Sequence, residues 1–174
     1  TTAAVSRAIG CRADEVFVAS TGVIGEQLPV EKILKAIPTL VKSLAANNWL
    51  EAAEAIRTTD TFPKMYTTTY TLDGNTYTLN GIAKGSGMIF PDMGTMLAFL
   101  FTDANIPSEI LSSYLRRMNR VTFNAITVDS DTSTSDTALL FATGQGTLHR
   151  PLLRENDKRL KNFSLALKMV MRNL

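Results

Sequence analysis

A hairpin signal at mid-chain restricts the fold more than any other feature of this sequence. Met65 to Leu72 is rich in Thr and Tyr, which suit a pleated strand. Asp73-Gly74-Asn75 follows as a turn signal, and Thr76 to Ala83 supplies the returning strand. The chain must therefore build a sheet around an antiparallel pair.

Helical and strand patterns lie on both sides of that pair. Residues 1–10 read as a helix stopped by Gly10, and Glu15 to Ala19 as a short buried strand running into Ser20-Thr21-Gly22-Val23-Ile24-Gly25. Residues 30–45 carry apolar residues at helical spacing (Ile33, Leu34, Ile37, Val41, Leu44), and Pro38 should kink that helix or split it in two. Residues 48–57 make another helix. Lys84 to Gly94, with three glycines and a proline, reads as loop, and Thr95 to Thr102 as an apolar strand. A helix is predicted over 107–119, with Ile110, Leu111, Tyr114, Leu115 and Met118 on one face. Strands are predicted at Val121 to Val128 and Thr137 to Thr143. A last amphipathic helix is predicted over 156–173, with Leu160, Phe163, Leu167, Val170 and Leu174 on its apolar side. These elements imply a layered α/β fold with a mainly antiparallel or mixed sheet.

Composition removes several classes of function. The 174 residues are 45% hydrophobic and 20% charged, which is globular. The net charge of +2 selects no particular partner, nucleic acid included, although Arg150 to Arg172 is somewhat basic. A single cysteine, Cys11, excludes an intrachain disulfide and fits a reducing compartment. It should be buried or half-buried. No apolar run approaches the ~20 residues that span a bilayer. Thr1 to Val5 resembles the middle of a helix more than a signal peptide, so upstream sequence is expected.

The segment from Gly81 to Leu97 carries the strongest chemical hint. Gly85, Gly87 and Gly94 allow backbone angles that other residues resist. The loop leads into a strand that begins with a hydroxyl residue, Thr95, after the small Gly94. A threonine so placed can attack the carbonyl before it, shift the acyl group from N to O, and be released by water as a new N-terminus. Its free amine, with a pKa of roughly 7.7–8.0, can then serve as base for its own hydroxyl. A plain glycine loop before a core strand is the alternative.

Other segments are weaker alone. A strand ending in Thr21-Gly22 can aim a hydroxyl and an amide at one point, as an oxyanion hole requires, though such turns are commonly structural. Arg57 to Lys64 reads as a polar helix-to-strand connection in which Asp60 and the threonines cap and turn. A lone Lys84 is ordinarily a solvated charge. The Asp-rich stretch from Asp129 to Asp136 lacks the glycine and terminal Glu of an EF-hand loop. His149, the only histidine, reads as an exposed loop residue. One His and one Cys exclude a structural zinc site as usually built.

Taken together, these segments resemble the ornithine acetyltransferase family of arginine biosynthesis. Lys84 to Leu97 follows its pattern K-G-x-G-M-I-x-P-x-M-A-T-M-L, with Gly94 in place of the usual Ala. Ser20 to Gly25 matches S-T-G-V-I-G, and Thr58 to Lys64 resembles T-T-D-T-x-P-K. Ile126 to Thr137 resembles I-T-V-D-G-D-T-S-T-N-D-T, with Ser130 for Gly and Ser135 for Asn. The resemblance covers essentially the whole chain.

It implies a self-cleaving enzyme with an α-β-β-α layered sandwich, in which only part of the fold lies in this chain. Thr95 would be the nucleophile, Gly94–Thr95 the cleavage site, and Thr21 and Gly22 the oxyanion hole. Thr58, Lys84 and Thr95 would contact substrate. Residues 1–94 would belong to the α chain and 95–174 to the β chain, in a heterotetramer of two of each. The Asp-rich loop would shape the pocket without direct catalysis. The implied reaction moves acetyl from N-acetylornithine to glutamate, with acetyl-CoA accepted by some members and no metal or bound cofactor. A catalytic Glu is expected after Leu174, with further substrate-binding residues beyond it. A cytoplasmic setting is implied, or the mitochondrial matrix for a fungal member. The rival readings are a self-cleaving aminopeptidase of similar fold, which usually has a Ser nucleophile, and a catalytically incomplete fragment.

Overall fold

A computed structural model describes residues 1–22, 25–85, 95–126 and 133–174. The hairpin forms as the sequence requires. Strand β1 (Lys64–Leu72) pairs antiparallel with β2 (Asn75–Lys84), closing at Leu72 opposite Asn75. The two turn residues, Asp73 and Gly74, both take positive φ, 53° and 82°. That is the twist-matched geometry short hairpins favour, in which Asp and Gly are cheap. Arg150 and Arg159 both pair with the Asp73 carboxylate, tying this turn to the segment before the last helix. They hold its pKa well below the usual range, Arg150 hydrogen bonds contributing most.

Two further strands complete a mixed sheet in the order β1-β2-β3-β4. Strand β3 (Leu97–Thr102) runs antiparallel to β2, and β4 (Thr137–Ala142) runs parallel to β3. A parallel neighbour needs a crossover. Helix α4 (Ser108–Asn119) lies in that connection, burying Ile110, Leu111, Tyr114 and Met118.

The pleat sends alternate side chains to opposite faces. One face presents Tyr70, Tyr77, Leu79 and Leu100 to helix α5 (Lys161–Asn173). Leu160, Phe163, Leu167 and Val170 are wholly buried there, and Phe163 meets the Tyr70 ring at 5.5 Å. The expected apolar stripe is thus the one that packs. On the other face, Phe101 meets Trp49 of helix α3 (Trp49–Ile56) at 5.3 Å and stacks on Phe141 at 5.1 Å. Helices α1 (Thr2–Ile9) and α2 (Val30–Lys42) precede the sheet in sequence, and Gly10 caps α1 in the left-handed conformation. Among the described residues no helix is long and apolar enough to cross a membrane.

Several elements differ from the sequence reading. Glu15 to Ala19 is no buried strand. A 3-10 turn at Ala13–Glu15, closed by the Arg12 amide donating to Glu15 Oε2, leads into extended chain, and no ladder partner is present among the described residues. Phe17 and Val18 are exposed, although the Phe17 ring meets Phe141 edge-on at 5.6 Å. Val121 to Val128 is likewise no strand where it is described. Thr122 donates its hydroxyl back to Met118 O at 2.8 Å, Phe123 is buried, and Phe123–Ala125 is 3-10. The end of α4 overrides the β propensity of these residues. Pro38 does not split α2, which runs through it. The last helix begins later than expected, after a 3-10 turn at Lys158–Leu160 capped by Asp157. The third strand begins at Leu97, two residues beyond Thr95.

Gly81 lets the C-terminal end of α5 pack close on the sheet. A Cβ there would lie 2.7 Å from Val170 Cγ1 and 2.8 Å from Leu174 Cδ1. Gly81→Ala should therefore overpack this contact and destabilise the protein by about 1–3 kcal/mol. Thermal unfolding followed by circular dichroism should show a lowered midpoint; an unchanged midpoint would mean that α5 is not seated this closely.

Candidate functional site

The site is built where β2 ends and β3 begins. The ladder places Lys84 opposite Leu97, so Gly85 is brought beside Thr95 and Met96. Gly85 has φ 121°, and a Cβ on it would fall 2.8 Å from Met96 Cα and 3.0 Å from Thr95 O. Only glycine satisfies both the angle and the space. Residues 86–94 lie outside the described residues, and the cleavage position Gly94 lies among them.

Thr95 is buried, at 6% exposure. Its Oγ1 lies 2.9 Å from Ser133 Oγ. The next residue is fixed from the same side: Met96 N–H donates to Asp136 Oδ1 at 2.9 Å, and Met96 O accepts from Thr137 N–H at 3.0 Å. Ser133 is itself held, accepting the Ser135 amide at 3.1 Å. The turn from Ser133 to Asp136 thus grips the chain at the hydroxyl and at the following amide.

Asp60 fixes the neighbouring end of β2. Its carboxylate accepts the Gly85 amide at 3.0 and 3.2 Å and pairs with Lys64. Burial raises its pKa, but the Lys64 hydrogen bond, the Gly85 amide and the Lys64 charge outweigh burial and leave the group below its ordinary value.

Lys84 is 1% exposed, and its Nζ has no hydrogen-bond partner among the described residues. Burial lowers its pKa, opposed by the charges of Asp60 and Asp136. This is no solvated surface lysine. A buried ammonium with no acceptor among the described residues suits an anionic ligand group.

Thr21 and Gly22 line an open cleft of about 400 Å³ with Ser20, Leu28 and Ser135. The Thr21 Oγ1 is buried and has no partner among the described residues. Ser135 belongs to the turn that holds Thr95, so this turn borders both the cleft and the nucleophile candidate. The neighbouring Val23 and Ile24 lie outside the described residues. Thr58 is exposed, two residues before Asp60, whereas the Thr59 Oγ1 is buried and unpartnered among the described residues. Ser130 of the Asp-rich loop lies outside the described residues.

His149 stands apart, at the other end of β2. It is partly buried rather than exposed, with Nδ1 2.8 Å from Arg150 O and its ring edge-on to Tyr77 at 5.7 Å. Cys11 is half-buried, as expected.

Sequence reasoning gave no positioning role to Asp60, Ser133 or Asp136. The signal was present in Asp60, a carboxylate four residues before Lys64 at the mouth of a strand. Nothing in residue order, however, says that Ser133 and Asp136 reach Thr95 and Met96.

The depressed Lys84 pKa means that the folded state disfavours its charge. The resulting penalty is fully present below the folded pKa and fades as pH rises toward the ordinary lysine value of ~10.4. Lys84→Met should therefore raise the thermal midpoint at neutral pH, with a gain that shrinks at alkaline pH. A midpoint lowered by several degrees would show that Lys84 is paired and stabilising.

Comparison with known proteins follows the same residues. The ArgJ family matches residues 1–174. The chain is similar to proteins called arginine biosynthesis bifunctional protein ArgJ. With that of Bartonella henselae it shares 47% identity over 98% of this chain and 42% of the relative. For Nitrobacter winogradskyi the identity is 50%, over 97% of this chain and 41% of the relative. For Chlorobaculum tepidum it is 52%, over 95% and 40% respectively. The chain thus spans about two fifths of the length of these relatives. It belongs to the ArgJ family.

Proposed function

We propose that this chain carries the nucleophile of an acetyltransferase that moves acetyl from N-acetylornithine to glutamate. The observation that carries the reading is the buried Thr95 hydroxyl, 2.9 Å from Ser133 Oγ, two residues before the Leu97 that pairs with Lys84, whose buried ammonium has no hydrogen-bond partner among the described residues. The names of the relatives, which place them in arginine biosynthesis, support it.

In this reading the Gly94–Thr95 bond breaks first, giving an α chain that ends at Gly94 and a β chain that begins at Thr95. The new amine serves as base. Thr95 Oγ1 attacks the acetyl carbonyl, and the Thr21 hydroxyl with the Gly22 amide takes up the developing oxyanion. Ornithine leaves, an acetyl-threonine ester remains, and the glutamate amine collects the acetyl group. Lys84 answers a substrate carboxylate, and Thr58 contacts substrate. A Glu beyond Leu174 completes the site. The sheet forms one layer of an α-β-β-α sandwich, assembled from two α and two β chains in the cytoplasm, or in the mitochondrial matrix of a fungus. The chemistry uses no metal or bound cofactor, and acetyl-CoA is a further acetyl donor.

The test is direct. N-terminal sequencing of the active protein should find a chain beginning Thr95-Met96-Leu97. Thr95→Ala should remain uncut and transfer no acetyl. Activity in Thr95→Ala, or an active protein that is wholly uncut, contradicts the proposal.

A further inference from the structure

We infer that the Ser133 hydroxyl relays the proton that Thr95 must lose when the Gly94–Thr95 bond is cleaved. This rests on the reading of Thr95 as the nucleophile.

The need for such a group follows from the chemistry of the uncut chain. After cleavage, Thr95 has a free amine within its own residue. Before cleavage that nitrogen is an amide, its lone pair delocalised into the carbonyl, and it cannot act as base. The first reaction of Thr95 therefore needs a partner that the later ones do not. In the uncut chain, Ser133 is the hydrogen-bond partner of Thr95 Oγ1 among the described residues, at 2.9 Å.

Ser133 is also suitably prepared. One of its lone pairs accepts the Ser135 amide at 3.1 Å. That leaves one acceptor site and one proton, so the hydroxyl can take a proton as it gives up its own. Its position is not left to a free rotor, because the turn that bears it is fastened to the same chain. Asp136 accepts the Met96 amide, and Thr137 donates to Met96 O. Movement of the turn would break these bonds as well.

The step balances without a further reactant. The bond from Thr95 Oγ1 to the Gly94 carbonyl carbon forms, and the bond from that carbon to the Thr95 nitrogen breaks. The proton leaving Oγ1 enters the Ser133 hydroxyl, whose own proton passes on and ends on the departing nitrogen. Water then hydrolyses the ester, returning the Thr95 hydroxyl and leaving a Gly94 carboxylate.

The test separates the cleavage step from acetyl transfer in the whole protein. Newly made wild type, Ser133→Ala and Ser133→Thr are sampled over time by intact mass, and acetyl transfer is measured per cleaved chain. Ser133→Ala should cleave ~10²-fold more slowly, as for loss of a positioned proton-transfer group. Transfer per cleaved chain should fall by a smaller factor. Ser133→Thr keeps the hydroxyl and should recover most of the cleavage rate. Cleavage of Ser133→Ala at the wild-type rate overturns the inference. So does an equal fall in cleavage and transfer that Ser133→Thr fails to rescue, which marks a structural role. Active wild type that never cuts at Gly94–Thr95 overturns both this inference and the reading of Thr95 on which it rests.

Discussion

The Asp60 side chain is 1% exposed, yet its carboxylate is held in the charged form by Lys64 and the Gly85 amide. A buried carboxylate without such partners would be expensive. With them it becomes a tie between the segment after α3 and the end of β2. Gly85, so held, lies against the backbone of Thr95 and Met96 with no room for a Cβ. Asp136 and Ser133 hold the Met96 amide and the Thr95 hydroxyl. Thr95 is thus fixed both by the close backbone of Gly85 and by hydrogen bonds. Removing either partner of a buried ion pair costs about 3–5 kcal/mol, so loss of Asp60 or Lys64 would disturb the fold and the site together.

The site leaves polar groups uncompensated. Lys84 Nζ, Thr21 Oγ1 and Thr59 Oγ1 are buried with no partner among the described residues. Structural interiors rarely keep such groups. Lys84 closes β2 and Thr21 lines the cleft that Ser135 borders, and buried polar groups left in this way cost stability. The sheet and α5 carry that cost. Phe163, Leu167 and Val170 are wholly buried against the hairpin, and Gly81 lets the helix come close.

Where local chemistry decided the structure, the sequence was readable. Asp73-Gly74 could close only a short hairpin of that twist, and the apolar stripe of α5 had one face to bury. Where partners decide, it was not. Glu15 to Ala19 has strand composition but no ladder among the described residues, and Val121 to Ala125 was captured by the end of α4. The same distinction holds at the site. Thr95, Lys84, Thr21, Gly22 and Thr58 stand out in the sequence only through the family motifs they fall in, and of these the structure buries Thr95 and Lys84. Ser133 and Asp136 were visible only as a polar loop, because their contacts with Thr95 and Met96 depend on the parallel β3–β4 register set across the α4 crossover. Asp60 read as a turn residue because its partner, the Gly85 amide, lies 25 residues away.

The central claim is that Thr95 Oγ1 carries the acetyl group between substrates. The most direct measurement is peptide mass spectrometry of the protein after mixing with N-acetylornithine alone, with no acceptor present. One added acetyl group on the peptide that begins at Thr95 is the predicted result. An acetyl group on Lys84 with Thr95 unmodified would contradict the account.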